Sequence, residues 1–415
     1  MTQTLTLDML QSTGMGALAL LLGMWLTRHI GWLQKFCIPS PVSGGIIFSL
    51  ITLALYTLCG IEVTFDGTLK DVFMLAFFTS VGFQSNLKVL RQGGRSLMVM
   101  LLLLVCIIVM QNALPLAVTK ITGVSPLIGM AAGSISMAGG HGTAGGFSTV
   151  LENMGLHGAS TISMAAATFG LIAGSVIGGP AAERLIRTKL TSEHLEPKDF
   201  TPDPGMTNFE SNESLPTGRA KHISSNEQEF QQYARATYAL LIVMALGTLV
   251  SRLLESTGIT FPTYFGSLIM AAIVRNVAEA TNHAEKLEVE RIISVGNISL
   301  SMFLGMAMIS LRLWELQSLA VPLITILVLQ VLAMLAITTW VAFRALGSDY
   351  DAAVLVAGIC GFGLGATPNA MANMSAVCYK YHYSVKPFLV VPIIGAMFVD
   401  LLNTGIITLF LNLIG

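Results

Sequence analysis

Ten stretches of this chain run for about 20 residues each with almost no charge, the length a helix needs to cross the hydrocarbon core of a bilayer. They fall near 13–31, 40–60, 71–87, 96–118 and 160–182, then near 236–255, 260–280, 292–312, 316–343 and 387–412. Inside lipid the backbone has no water to bond, so each stretch is expected to be an α-helix. Only 11% of residues are charged, against roughly 25% in soluble domains. Balanced counts of 22 Lys+Arg and 23 Asp+Glu leave no basic field for nucleic acid. The expected class is therefore an all-α integral membrane protein that has the lipid bilayer as its solvent. Asp8 and no Lys or Arg precedes the first stretch, so it reads as a span and not as a cleaved leader.

Basic residues set an orientation. Arg28, Lys35, Lys88, Arg91, Arg95, Arg184, Arg187 and Lys189 follow odd-numbered spans of the first half. Arg275, Lys286, Arg291, Arg344, Lys380 and Lys386 collect on the same side in the second. The opposite connections carry Glu62, Asp66, Asp71 and Glu152, with Lys70, Lys120, Arg252 and Arg312 as the basic exceptions. Both termini are thus expected outside. Residues 183–235, polar and rich in Pro, Ser, Asn, Glu and Gln, are expected to form a cytoplasmic linker between an N-terminal unit (1–182) and a C-terminal unit (236–415).

The two units are related. A shift of about 225 places Ser125–Gly133 on Tyr350–Gly358, Gly170 on Gly395, and Ile38-Pro39 close to Phe261-Pro262. Five spans per unit is odd, so the second must enter from the opposite face, giving an inverted-topology repeat. Two further stretches, 126–150 and 351–376, are too rich in Gly, Ser and Thr for ordinary spans. Glycine costs a helix interior about 1 kcal/mol and proline about 3. Each is read as a re-entrant hairpin of half-helix, unwound tip and half-helix, the two entering from opposite faces so that their tips meet. Close packing through small residues is the competing account of the glycines.

Tips of this kind offer unpaired N–H groups and a positive dipole end to a carboxylate. Their carbonyls and hydroxyls offer hard oxygens to a small cation. The candidate substrate-binding residues are Ser136, Gly140, His141, Gly142 and Thr143 in the first hairpin, and Gly365, Ala366, Thr367, Pro368 and Asn369 in the second. Asp400 and Asn403 join them from the last span. An acid inside a membrane helix faces a partner or a cavity, so Asp400 is read as a cation ligand, a counter-charge to a substrate ammonium, or a packed ion pair. Asp400, Asn297, Ser299 and Ser134 are the candidate Na⁺ ligands. His141 either bonds substrate or orients its tip, and Gln111 and Asn112 are read as bonding neighbouring helices. The five cysteines have no metal-like spacing, and there is no P-loop, no nucleophile–base set and no sign of an organic cofactor.

The motifs Gly139-Gly-His-Gly-Thr143 and Gly361-Phe-Gly-Leu-Gly-Ala-Thr-Pro368 resemble the paired motifs of the bacterial sodium/glutamate symporter family. So do Leu75-Ala-Phe-Phe78, Gln111-Asn-Ala113, Ala167-Thr-Phe-Gly170, Gly296-Asn-Ile-Ser299 and Val390-Val-Pro392, in order along nearly the whole membrane portion. Residues from about 190 to 232 fall outside the likeness. The resemblance implies Na⁺-driven uptake of L-glutamate at a bacterial inner membrane, by a homodimer that moves a transport domain against a fixed scaffold. A di- or tricarboxylate carrier on the same scaffold is the alternative. A passive channel and an intramembrane enzyme fit less well, for want of a charged pore line or a catalytic set.

Overall fold

The computed structural model describes residues 3–88, 94–190, 222–256, 261–283, 287–316 and 319–414. The chain is mostly helical. In the first half run α1 (Met9–His29), α2 (Ser40–Cys59), α3 (Thr68–Gln84), α4 (Gly94–Thr122), α5 (Pro126–Ala131), α6 (Gly140–Asn153) and α7 (Ala159–Lys189). In the second run α8 (His222–Glu255), α9 (Phe265–Ala280), α10 (Val289–Ile309), α11 (Ala320–Ala336), α12 (Tyr350–Leu364), α13 (Thr367–Lys380), α14 (Val385–Met397) and α15 (Val399–Ile414). A π-helical turn, Ile337–Ala342, and Phe343–Ala345 prolong α11. Local chemistry sets several starts. Asp8 and Gln11 exchange side-chain and backbone bonds of 2.8 and 3.1 Å, a capping box that opens α1. Asp66 accepts from Thr68 N–H at 2.8 Å ahead of α3, and that bond holds its carboxyl below the usual range.

Seven helices among the described residues are long and apolar enough to cross a membrane, or eight if α14 and α15 form one bent span. The ten expected spans are not all reached on length, because α3 and α9 have 17 and 16 residues. The last expected helix, 387–412, is broken. Pro392 lies inside α14, and the chain turns by 48° before α15. Asp400 consequently sits in the first turn of a helix instead of deep within one. A two-stranded parallel sheet, β1 (Gln3–Leu7) with β2 (Ile61–Phe65), is an addition to the expected all-α class. Helices also reach into both ends of the expected linker, since α7 continues to Lys189 and α8 begins at His222. Residues 191–221 lie outside the described residues.

The elements repeat in order. The starts of α2 and α9 (Ser40, Phe265) lie 225 positions apart, and those of α5 and α12 (Pro126, Tyr350) 224. Those of α6 and α13 (Gly140, Thr367) lie 227 apart, and those of α7 and α14 (Ala159, Val385) 226. Even the helix defects match, for Pro115 inside α4 and Trp340 in the π turn of α11 stand 225 apart. Each defect interrupts the hydrogen-bond ladder of the helix that precedes a broken pair.

Packing sorts these helices into two sets. The first three of each half, α1–α3 and α8–α10, pack on one another, and α4–α7 pack with α11–α15. Within the second set the joining bonds are short. Gln111 Nε2 donates to Gly363 O at 2.6 Å and Gln330 Nε2 to Ala132 O at 2.5 Å. Asn373 Nδ2 donates to Gly174 O at 2.9 Å. Between the sets the bonds are longer. Ser85 Oγ donates to Met397 O and Ser175 Oγ to Phe36 O, both at 3.3 Å, and Tyr264 Oη meets Thr404 Oγ1 at 3.4 Å. Arg312 N–H donates to Thr161 Oγ1 at 3.1 Å. Hydrogen bonds weaken with such lengthening, so each set is better tied internally than to its neighbour.

Candidate functional site

Two broken pairs, α5–α6 and α12–α13, face each other within the second set. In the first pair Ser125 caps α5 by accepting from Leu127 N–H at 3.4 Å, and Pro126 starts it. Residues 132–139 then turn irregularly before α6. In the second pair Asp349 caps α12, accepting from Ala352 N–H at 2.9 Å, and only Gly365 and Ala366 separate α12 from α13. The second arms, α6 and α13, both begin without a side-chain cap, which leaves uncapped the N–H groups of Gly140–Gly142 and of Thr367. Pro368 has no N–H, and that of Asn369 bonds Ala366 O at 3.0 Å. The tips touch: a Cβ placed on Gly140 would lie 3.0 Å from Gly365 O. Gly140 has φ +57°, a left-handed conformation that side chains disfavour.

A cavity of about 250 Å³ opens at these tips. Gly140, His141 and Gly142 line it from the first pair, Gly365, Ala366, Thr367 and Pro368 from the second, and Asp400 from α15. Its opposite wall comes from the other helix set, through Pro39, Phe77, Leu300 and Leu304. Phe362, Leu171 and Val399 add apolar surface. A small-molecule site usually holds roughly 300–1,000 Å³, so this one suits an amino-acid-sized occupant. It offers two uncapped helix N-termini for anions and one carboxylate for a cation.

The other expected residues lie behind or away from the cavity. Ser136 Oγ, fully buried, shares its one proton between Ala131 O at 2.5 Å and Ser163 O at 2.9 Å. Asn369 Nδ2 donates to Leu171 O at 2.9 Å and Ser175 Oγ at 2.7 Å, fastening α13 to α7. Asn403 Nδ2 donates to Ser134 O at 3.0 Å, and Ser134 Oγ donates to Asn112 Oδ1 at 3.0 Å. Thr143 lies beside Asp400, with no hydrogen bond of standard geometry to its hydroxyl. Asn297 and Ser299 are not brought to the cavity. Asn297 is exposed, and its carbonyl accepts from Ser301 Oγ at 3.0 Å. Ser299 donates to Val295 O of its own helix at 2.9 Å. The α10 residues that do line the cavity are Leu300 and Leu304, four apart on one helix face. Neither carries a polar atom, so nothing in the sequence marked them.

His141 is buried, and its Nε2 lies 3.0 Å from Thr168 Oγ1. Thr168 spends its only hydroxyl proton on Met164 O at 2.9 Å. Nε2 must therefore be the donor to Thr168, and Nδ1 is left as the remaining polar atom of a cavity-lining ring. Gln111 and Asn112 do bond neighbouring elements, as expected, through Gly363 O and Ser134 Oγ. Beyond the cavity, α6 leans on aromatic rings of the other set. A Cβ on Gly145 would meet Phe303, and one on Gly146 would meet Tyr264 and Phe78.

A polytopic helical membrane protein whose duplicated halves each contribute a broken helix pair to one buried cavity has the build of a secondary carrier. Comparison with known proteins assigns it more closely. The family model described as "Sodium/glutamate symporter" matches residues 5–383. A sodium/glutamate symporter of Escherichia coli (strain K12) is 39% identical over 409 residues, covering 98% of each chain. That of Haemophilus influenzae is 38% identical over 405 residues, covering 97% of this chain and 96% of the relative. This chain belongs to the sodium/glutamate symporter family. Among solved structures, the sodium proton antiporter MjNhaP1 from Methanocaldococcus jannaschii matches 99% of this chain and 100% of that one, with 13% identity and a TM-score of 0.41. So slight a likeness carries no argument.

Proposed function

We propose that the protein couples inward Na⁺ flow to uptake of L-glutamate across a bacterial inner membrane, by alternating access around the cavity at the paired tips. The observation that carries this reading is that two uncapped helix N-termini and Asp400 line one amino-acid-sized cavity. The backbone N–H groups at Gly140–Gly142 and at Thr367 take the substrate carboxylates, and His141 bonds substrate through Nδ1. Thr143, Ser136, Asn369 and Asn403 hold the tips in place from behind, and Asp400 supplies the negative charge.

In this reading both broken pairs are re-entrant hairpins, and α3 and α9 are short spans that bring the count to ten. Units 1–182 and 236–415 are inverted repeats, with 183–235 joining them on the cytoplasmic side. The pairing of β1 with β2 supports an outer N-terminus, since it puts the chain start on the face of the α2–α3 connection. The set α4–α7 with α11–α15 moves as a body against α1–α3 with α8–α10, an elevator-like stroke that breaks only the longer bonds between the sets. A homodimer anchors the static set.

Purified protein in liposomes tests the reading. An inward Na⁺ gradient should drive accumulation of labelled L-glutamate above its external level, and collapsing the gradient should release it. Gradient-driven accumulation of citrate or malate with none of glutamate would overturn the substrate and leave the scaffold standing.

A further inference from the structure

We propose that the coupling Na⁺ sits behind the cavity floor, between the Asp400 carboxylate, Thr143 Oγ1 and Asn403 Oδ1. The inference rests on the Na⁺-coupled reading above and goes beyond it by placing the ion away from Asn297 and Ser299 of α10.

Three observations meet at this point. Asn403 Oδ1 is a buried oxygen with no hydrogen-bond partner among the described residues, and Thr143 Oγ1 has none of standard geometry, with the Asp400 carboxylate beside it. Both residues are fully buried. A buried polar atom without a partner costs free energy unless something fills its place. The two side chains also converge, for a Cβ on Gly139 would lie 2.6 Å from Thr143 Oγ1 and 2.7 Å from Asn403 Nδ2. Finally, the Asp400 carboxylate is their neighbour. It is set three residues before Asn403 on α15, adjoins the Thr143 hydroxyl, and lines the cavity.

The amide orientation is fixed by chemistry. Asn403 Nδ2 donates to Ser134 O at 3.0 Å, and a carbonyl cannot donate in return. The oxygen of Asn403 must then point away from Ser134 and remain a free acceptor. A carboxylate with an amide oxygen and a hydroxyl oxygen is a donor set for a hard monovalent cation, since a thiol or imidazole ligand is missing and the oxygens are fixed by their own helices. The geometry also supplies coupling. Thr143 belongs to α6, whose uncapped start faces the substrate, whereas Asp400 and Asn403 belong to α15. A cation held between them fastens the first tip to the last helix and so sets the anion site before substrate arrives.

The test uses the full chain in liposomes and in detergent, with Na⁺ as the probe. Thr143→Val removes the hydroxyl beside Asp400 at constant shape, and a thermal melt checks that the variant stays folded. It should raise the Na⁺ concentration for half-maximal glutamate uptake about tenfold or more, as loss of a metal contact commonly does. The rise in the Na⁺ requirement should exceed any loss of glutamate affinity measured at saturating Na⁺. Thr143→Ser, which keeps the oxygen, should stay near the wild-type value. As a second readout, NaCl in place of choline chloride should raise the melting temperature of the wild type and of Thr143→Ser, and not of Thr143→Val. An unchanged Na⁺ requirement in Thr143→Val and Asn403→Leu, beside a Na⁺-dependent wild type, would overturn this placement alone. Weakened glutamate binding at every Na⁺ concentration would overturn it too, because the cluster would then hold the substrate ammonium. A wild type indifferent to Na⁺ would overturn the coupling reading and this inference with it.

Discussion

The two broken pairs follow one plan and are fastened in different ways. The first pair has a first arm of six residues and an irregular turn over 132–139. The second has a first arm of 15 residues and a break of two. The second arm of the latter, α13, is bound inside its own set. Asn369 and Asn373 donate to backbone carbonyls of α7, and Lys380 pairs with Glu183 at 2.6 Å. The second arm of the former, α6, turns a glycine face toward Phe303, Tyr264 and Phe78 of the other set, where packing replaces hydrogen bonds. A contact built of rings against glycines has no bond geometry to break when one body slides on the other. Under the proposed elevator-like stroke the second pair would lie inside the moving body and the first at its boundary.

Substitutions can break this comparison or sharpen it. The largest effect is expected from Asp400→Asn, which removes the one charge in the cavity lining. Na⁺-driven uptake should fall by about 100-fold, at the upper end for a lost ion contact, while the protein still elutes as a folded species. Uptake near wild type would remove Asp400 from the site. Next comes Gly140→Ala against Gly365→Ala. The first forces a side chain into φ +57°, costing about 1–2 kcal/mol, and presses it toward Gly365 O. The second meets only tight contacts of 3.1 Å and 3.2 Å, with Gly361 O, Leu171 Cα and Asn369 Nδ2. Uptake kinetics of the two should differ, with Gly140→Ala the poorer; equal loss would mean that the tips are equivalent.

Smaller and matched effects are expected at the crossed glutamines. Gln111 on α4 reaches the second pair and Gln330 on α11 reaches the first, each fully buried. Replacing either by Leu leaves a buried carbonyl unpaired, worth about 1–3 kcal/mol, and should lower the melting temperature in detergent by similar amounts. A large drop in only one would show that the two pairs do not share the load. The smallest effect is expected at the exposed pair Arg312–Glu62, 3.1 Å apart. Arg312→Met should change stability by no more than about 1 kcal/mol, and a thermal melt checks it.

Much of the fold was legible in the chain because lipid imposes a coarse rule that local sequence must obey. A run of apolar residues long enough to span forms a helix whatever lies beside it. Glycine clusters are equally local, which is why the broken pairs start at Pro126 and Tyr350, within a residue of the expected 126 and 351, and why Gly140 and Thr367 were among the candidate residues. Asp400 stood out because a lone acid in an apolar helix is costly. The sequence by itself therefore determined the membrane class, the spacing at which helix starts recur and the place of the two broken pairs. Tertiary structure decided which face of α10 meets the cavity, and there Leu300 and Leu304 line the wall while Asn297 is exposed. It also decided the crossing of Gln111 and Gln330, and the meeting of Thr143 with Asn403. These are contacts between residues hundreds of positions apart, set by how whole helices pack, and a helix's own residues carry no record of which neighbour its faces will find.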